Sequence, residues 1–222
     1  MTRSELNEAV AILQSTAANL SALTSGTTEE GAALDRACTT LNFDAKSLLQ
    51  AGSIGTTALA CFTAATTAGI TSDQFYAIRS TISALTPSYP AGTTMRQMLL
   101  RMCIAEESRA VSNAILTSRS EAEAILARMV DDFEAIEDYA ADNLESAAYQ
   151  AFIALHGAVA YDLSQRASQL PKLATYTFGK RRTSLTLANV LYGDASRADE
   201  IINENSPVHP AFMPDSIRAL TE

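Results

Sequence analysis

The side chains able to do chemistry are sparse in this sequence and poorly grouped. His156 and His209 are the only imidazoles. His156 falls on a helical stripe beside Leu155 and reads as a satisfied boundary residue. His209 precedes Pro210 and reads as structural, holding a loop by hydrogen bonds. Cys38, Cys61 and Cys103 are odd in number and far apart, with no C-x-x-C spacing. That pattern argues for small buried apolar residues and against a zinc site or a disulfide framework. Asp131, Asp132, Glu134, Glu137 and Asp138 could hold a metal or move protons only if carboxylates converged from different elements. On one helix they share a face, which predicts a solvated surface. Glu106 and Glu107, with Arg96, Arg101 and Arg109, read the same way, as intrahelical pairs worth ~0.2–0.5 kcal/mol each. Lys180, Arg181 and Arg182 form a basic loop able to meet an acidic neighbour or a phosphate; coincidental loop charge is the other reading. No Gly-rich phosphate loop, H-E-x-x-H or G-x-S-x-G occurs. No catalytic residue, metal ligand or cofactor site is therefore expected, and the chain is not expected to be an enzyme.

Composition points to helices. Alanine dominates the apolar residues, aromatics are few and tryptophan is absent, which suits close helix packing better than a sheet. Net charge is −9 in 222 residues. Residues 171–222 hold six Lys/Arg and six Asp/Glu, so the excess negative charge lies before them. A nucleic-acid binder shows a basic face, and no direct nucleic-acid contact is expected. No basic-then-apolar leader opens the chain.

The spacing predicts a helical body over residues 1–170. Ser4 reads as the N-cap of a helix to about Leu23. A second helix opens at Glu29 and Glu30 with an inner stripe of Leu34, Cys38, Leu41, Ala45 and Leu48. Lys46 to Asp73 is uncharged between its ends. It holds too little Leu, Ile, Val or Phe for a membrane span and reads as a central helix wrapped by neighbours, or as one facing other subunits. Ser72 is the expected cap of an amphipathic helix (Phe75, Ile78, Ile82, Leu85), and Thr86–Thr93 the clearest break. A longer helix carries Met95, Met98, Leu99, Met102 and Ile104; methionines there fill core gaps or form a flexible contact surface. Ser120 with Glu123 reads as a capping box before a stripe of Ile125, Met129, Phe133, Ile136 and Tyr139/Ala140. The last long helix runs from about Leu144 to Gln169, with Ala148, Phe152, Leu155, Val159 and Leu163 inward.

Residues 171–222 read as a separate strand–helix–helix–strand unit. Leu173–Phe178 and Ser216–Leu220 are the strands. Leu185, Leu187, Val190 and Leu191 give the first helix an apolar face. Gly193 stops it in the left-handed region, Asp194 and Ser196 are N-cap candidates, and Ser196 with Asp199 approximates a capping box. Ile201 and Ile202 face inward in the second helix; Asn205 takes the left-handed position, and Pro207 and Pro210 end the run.

The run LYGDASRADEIINEN…VHPAFMP resembles the C-terminal end of the tail proteins of Mu-like contractile phages known as DNA circulation or circularisation proteins. Tyr192, Gly193, Asp194, Ala195, Asn205, His209, Pro210, Phe212 and Pro214 match a YGDA corner, an acidic helix, an Asn and a His-Pro-x-Phe exit. Ala148–Ala151, Asp162–Leu163 and Leu170–Pro171 are similar to the preceding helix, so the likeness covers residues 140–222. The corner is also similar to LysM-like modules, although the G-D-T-L opening is missing. The resemblance implies a structural protein of a contractile tail, at the baseplate or hub–tube junction of the virion. Its implied partners are other tail proteins and further copies of itself in a ring, with no membrane. Tyr192, Gly193, Asp194, Asn205, His209, Pro210 and Phe212 become docking-motif residues. The family's proteins are often longer, with a separate N-terminal domain, so a short member, a split gene or a fragment is expected. Alternatives are a peptidoglycan-binding module, using Gly179, Thr183, Asn205 and Pro207, a DNA-circularising protein, and a hydrolase, for which no motif speaks.

Overall fold

Side-chain caps set where the helices start. In the computed structural model, which describes residues 1–221, Thr2 accepts from Glu5 N–H and Glu5 returns the bond to Thr2 N–H, so α1 (Arg3–Ser21) opens on a capping box at Thr2, two residues before the expected Ser4. Thr28 caps α2 (Glu29–Ala51), which runs unbroken past Asn42 and Phe43 to a left-handed Gly52. Thr71, not Ser72, caps α4 (Ser72–Ser83), again reciprocally, with Gln74. Ser72 is the first helical residue and is buried. The expected box at Ser120 and Glu123 does not form. Ser118 accepts from Glu121 N–H at 3.2 Å, and the Glu121 carboxylate holds Thr117 N–H at 2.8 Å, so α6 (Arg119–Asp142) is capped two residues earlier. In each case a Ser or Thr lies one step outside the apolar periodicity, where its hydroxyl replaces a missing backbone partner.

The uncharged stretch is not one helix. α2 ends at Ala51, and α3 (Ile54–Thr67) follows after Gly52 and Ser53. α5 (Pro90–Asn113) begins with proline at N1, inside the expected loop, because the fixed φ of proline suits a first turn. The Glu8 carboxylate accepts from Ser88 N–H (2.7 Å) and Tyr89 N–H (2.9 Å), just ahead of α5. The helix wrapped by neighbours is α5, not α3: it packs on α1, α3 and α4. Its buried residues include Met95, Leu99, Leu100, Cys103, Ile104 and Val111. Among the described residues no helix is long and apolar enough to cross a membrane.

α7 spans Ser146–Gln169. The expected α6 stripe is buried except at Tyr139, which is half-buried beside the fully buried Ala140; on α7 only Val159 and Leu163 of the expected stripe are buried, with Ala167. The α6–α7 corner turns at Leu144, with φ 57. Internal contacts divide the chain into two compact units: Met1–Ala114 with Arg128–Val159, and Ile115–Ala127 with Ala160–Glu222. The expected boundary after residue 170 falls inside the second.

The second unit contains β1 (Leu173–Thr177), α8 (Ser184–Tyr192), a 3₁₀ turn (Ala195–Arg197), α9 (Ala198–Asn205) and β2 (Ser216–Leu220). The strands pair antiparallel with Thr175 opposite Arg218. This is the expected strand–helix–helix–strand order, on a mainly helical chain. Leu187, Ala188, Tyr192, Ala198, Ile201, Met213, Ile217 and Ala219 form its core. Thr183 caps α8, whose buried face is Leu187, Ala188 and Tyr192; Leu185 and Val190, expected to face inward, are exposed. Ile202 is only half-buried beside the fully buried Ile201.

Candidate functional site

The corner after α8 is built by three of the motif residues. Gly193 sits at φ 66 and ends the helix, a conformation that glycine adopts without opposition from a Cβ. Asp194 Oδ1 accepts from Ser196 N–H at 2.8 Å, and the bonds to Ser196 hold its carboxyl below the usual range. The Ser196–Asp199 box is not formed, because the 3₁₀ turn intervenes and α9 starts at Ala198 without a side-chain cap. Tyr192 is buried against the core, its hydroxyl accepting from Leu220 N–H at 3.0 Å, and burial raises its pKa. The Arg197 guanidinium lies 3.9 Å from the Tyr192 ring centroid and pairs with Glu200.

Asn205 does a different job from the expected one. Ser206, not Asn205, takes the left-handed position, at φ 40. Asn205 remains helical, which lets its side chain reach β2. Arg218 N–H donates to Asn205 Oδ1 at 2.7 Å, while Asn205 Nδ2 donates to Arg218 C=O at 2.7 Å and to Ile201 C=O at 2.8 Å. The primary amide thus imitates one rung of a β-ladder on the outer edge of β2. Both of its donor hydrogens are used.

The exit loop is pinned from both sides. His209 Nδ1 accepts from Ala211 N–H at 3.1 Å, and His209 C=O accepts from Phe212 N–H at 2.9 Å. Pro210 C=O accepts from Ser184 N–H, and Arg182 C=O from Met213 N–H. Met213 is buried, whereas Phe212 is 69 % exposed, its ring tilted against His209 at 5.9 Å, and Val208 is fully exposed. The motif residues therefore fall into two groups. Tyr192, Gly193, Asp194 and Asn205 hold the module together; His209 and Pro210 present Phe212 outward.

The first unit contains what the sequence reading missed. Glu106 and Glu107 are not solvated: both are buried, as is Arg79. Arg79 Nε donates to Glu107 Oε2 at 3.0 Å, Ser72 Oγ lies 3.4 Å from Glu107 Oε1, and Arg128 reaches the same carboxylate at 3.7 Å. Asp132 pairs with Arg79, and Asp73 with Arg128 at 2.5 Å. Both guanidiniums lie over the Tyr76 ring, at 5.2 and 4.9 Å. Burial pushes the Glu107 carboxyl up, against the opposing pull of Arg79 and Arg128. Glu106 accepts instead from Thr63 (3.0 Å), Thr66 (2.8 Å) and Arg109 (2.9 Å). A signal was present: Leu99, Cys103, Glu107 and Val111 recur every four residues, which puts Glu107 on the buried line.

Two members of the expected acidic face are likewise engaged. Asp132 meets Arg79, and Glu137 Oε1 lies 3.0 Å from His156 Nδ1, whose ring stacks on Phe133 at 4.9 Å. The three cysteines are buried thiols, as expected; Cys61 Sγ donates to Thr57 C=O at 3.4 Å, and burial pushes Cys103 up. Met98 and Met102, with Leu59, Tyr139 and Phe152, line an open cleft of about 350 Å³. Among the described residues, no group of three or more His, Cys, Asp or Glu is placed to hold a metal ion.

No protein-family model matches the chain, and no curated protein matches it significantly.

Proposed function

We propose that this chain is a structural component of a contractile phage tail, at the baseplate or hub–tube junction, and that its strand–helix–helix–strand module docks neighbouring tail subunits. The observation that carries the reading is the exit loop. His209 and Pro210 fix the backbone on both sides, and Phe212 and Val208 are held outward in water. A phenyl ring presented on a preorganised loop loses little freedom when a partner covers it, which favours association. The likeness of the same residues to the tail-protein motif points the same way. A peptidoglycan-binding reading has less support, because Asn205 spends both donors inside the module.

The test is the position and copy number of this chain in purified particles, by imaging and cross-linking. Several copies per particle are expected, with cross-links from the exit loop to neighbouring subunits. A chain missing from every particle, or one retained on cell-wall fragments, would sink the proposal.

A further inference from the structure

The two edges of the β1–β2 sheet are treated differently. On β2, Arg218 N–H and C=O are taken by Asn205, and Leu220 N–H by the Tyr192 hydroxyl. These groups point away from β1, so by the alternation of an antiparallel ladder their opposite numbers, Thr175 and Leu173, also point away from β2. The cross-strand bonds at Thr221 N–H to Lys172 C=O (2.7 Å) and Phe178 N–H to Asp215 C=O (2.8 Å) fix the same phase. The outward main-chain groups of β1 are therefore those of Leu173, Thr175 and Thr177. Among the described residues these have no hydrogen-bond partner. Just before the strand, Pro171 C=O is occupied by Arg119 N–H at 3.0 Å, so the open run is the five residues of β1 itself.

Nothing on β1 blunts that edge. LATYT contains no charge, no proline and no bulge, although such devices commonly guard a free strand. Charge gathers at its two ends instead. Lys172 precedes it; Lys180, Arg181 and Arg182 follow it, all exposed and without an ion-pair partner among the described residues. Arg182 lies over the Phe178 ring at 5.4 Å. In a chain of net charge −9, an uncharged edge bracketed by cations selects its occupant. A second copy pairing antiparallel would bring Lys172 of one chain toward Lys180 of the other.

We infer that β1 is a strand-addition site for an extended segment of a different protein, with an uncharged, β-forming centre and acidic residues at both ends. Main-chain bonds to Leu173, Thr175 and Thr177 supply the pairing, and the flanking cations supply the selection. The inference stands on the module alone and does not require the tail assignment.

The probe is a nine-residue peptide, Glu-Glu-Val-Thr-Val-Thr-Val-Glu-Glu, titrated into the full chain, with a Lys-flanked version and a central-proline version as controls. The acidic peptide should bind at least about tenfold more tightly than the Lys-flanked one at low salt, and the proline version should not bind. Saturation should slow amide exchange at Leu173, Thr175 and Thr177 by at least about tenfold. Lys180→Glu with Arg181→Glu, both in an exposed loop, should reverse the flank preference. Thr175→Pro, which removes an outward N–H and no rung to β2, should abolish binding while the denaturation midpoint is kept. The inference is overturned if the wild-type chain binds neither charged peptide at millimolar concentration. It is equally overturned if those amides are protected without peptide in a self-associated form, or if an oligonucleotide protects them and the acidic peptide does not.

Discussion

Arg79 and Glu107 face each other at 3.0 Å with almost no access to water. Two ions so placed lose hydration, and their attraction does little more than offset that loss, so the pair is weak evidence for stability but a strong constraint on partners. Arg79→Met alone should destabilise the fold by about 3–5 kcal/mol, because Glu107 is then buried with less compensation. Arg79→Met combined with Glu107→Leu should recover at least half of that loss; denaturant titration of the two singles and the double measures the coupling. The sign of the pH dependence follows from the raised carboxyl. In the fold Glu107 keeps its proton to higher pH than in the unfolded chain. Its contribution is fully present below the ordinary glutamate range and fades as pH rises through the raised value. As pH rises from the ordinary glutamate value of about 4.3, the unfolding free energy of wild type minus that of Glu107→Gln should fall. A difference independent of pH would refute the assignment. Sequence reading placed Glu106 and Glu107 in water because charge on a helix usually lies there. What reverses the rule is a cation delivered from a different helix, and residues 79 and 128 carry no local sign that they converge on residue 107.

Two corners of the chain use the left-handed backbone and predict changes of opposite sign. Gly193 occupies it at φ 66 with open space around the missing Cβ, so Gly193→Ala should cost about 1–2 kcal/mol from backbone strain alone. Leu144 occupies it at φ 57 with its side chain 88 % exposed. Leu144→Gly should stabilise by about 0.5–1 kcal/mol, since the strain is relieved and little burial is lost. Thermal or denaturant midpoints check both. Gly193 was readable because glycine at a helix end has a steric meaning; Leu144 was not, because leucine gives no sign of a turn. The strands were readable for a similar reason. LATYT and SIRAL are short β-forming runs bounded by proline, glycine and charged residues, and the structure pairs them residue for residue. Helix phase was harder. Leu187, Ala188 and Tyr192 line the buried face of α8, and helical spacing puts Leu185 nearly opposite Leu187 and Val190 nearly opposite Ala188 and Tyr192, so both reach the surface.

At the scale of the molecule, the helical body and the strand–helix–helix–strand order were visible in periodicity and composition, while the division into units was not. α6 and α7 each contribute residues to both units, and a boundary inside a helix leaves no glycine, proline or change of charge to mark it. The proposed docking role makes a separable prediction. Val208→Ser with Phe212→Ser should leave the denaturation midpoint of the isolated chain within about 0.5 kcal/mol of wild type, as exposed substitutions do, and should lower its copy number in particles. Unchanged incorporation would remove the exit loop from the account. Finally, Glu8 belongs to the first helix, yet it fastens the entry to α5 some 80 residues later. Gly92 is confined to glycine by the same carboxylate, since a methyl there would run into Glu8 and Pro87. The opening turns are thus a tether for the middle of the chain: trimming them would loosen the very rod against which three other helices lean.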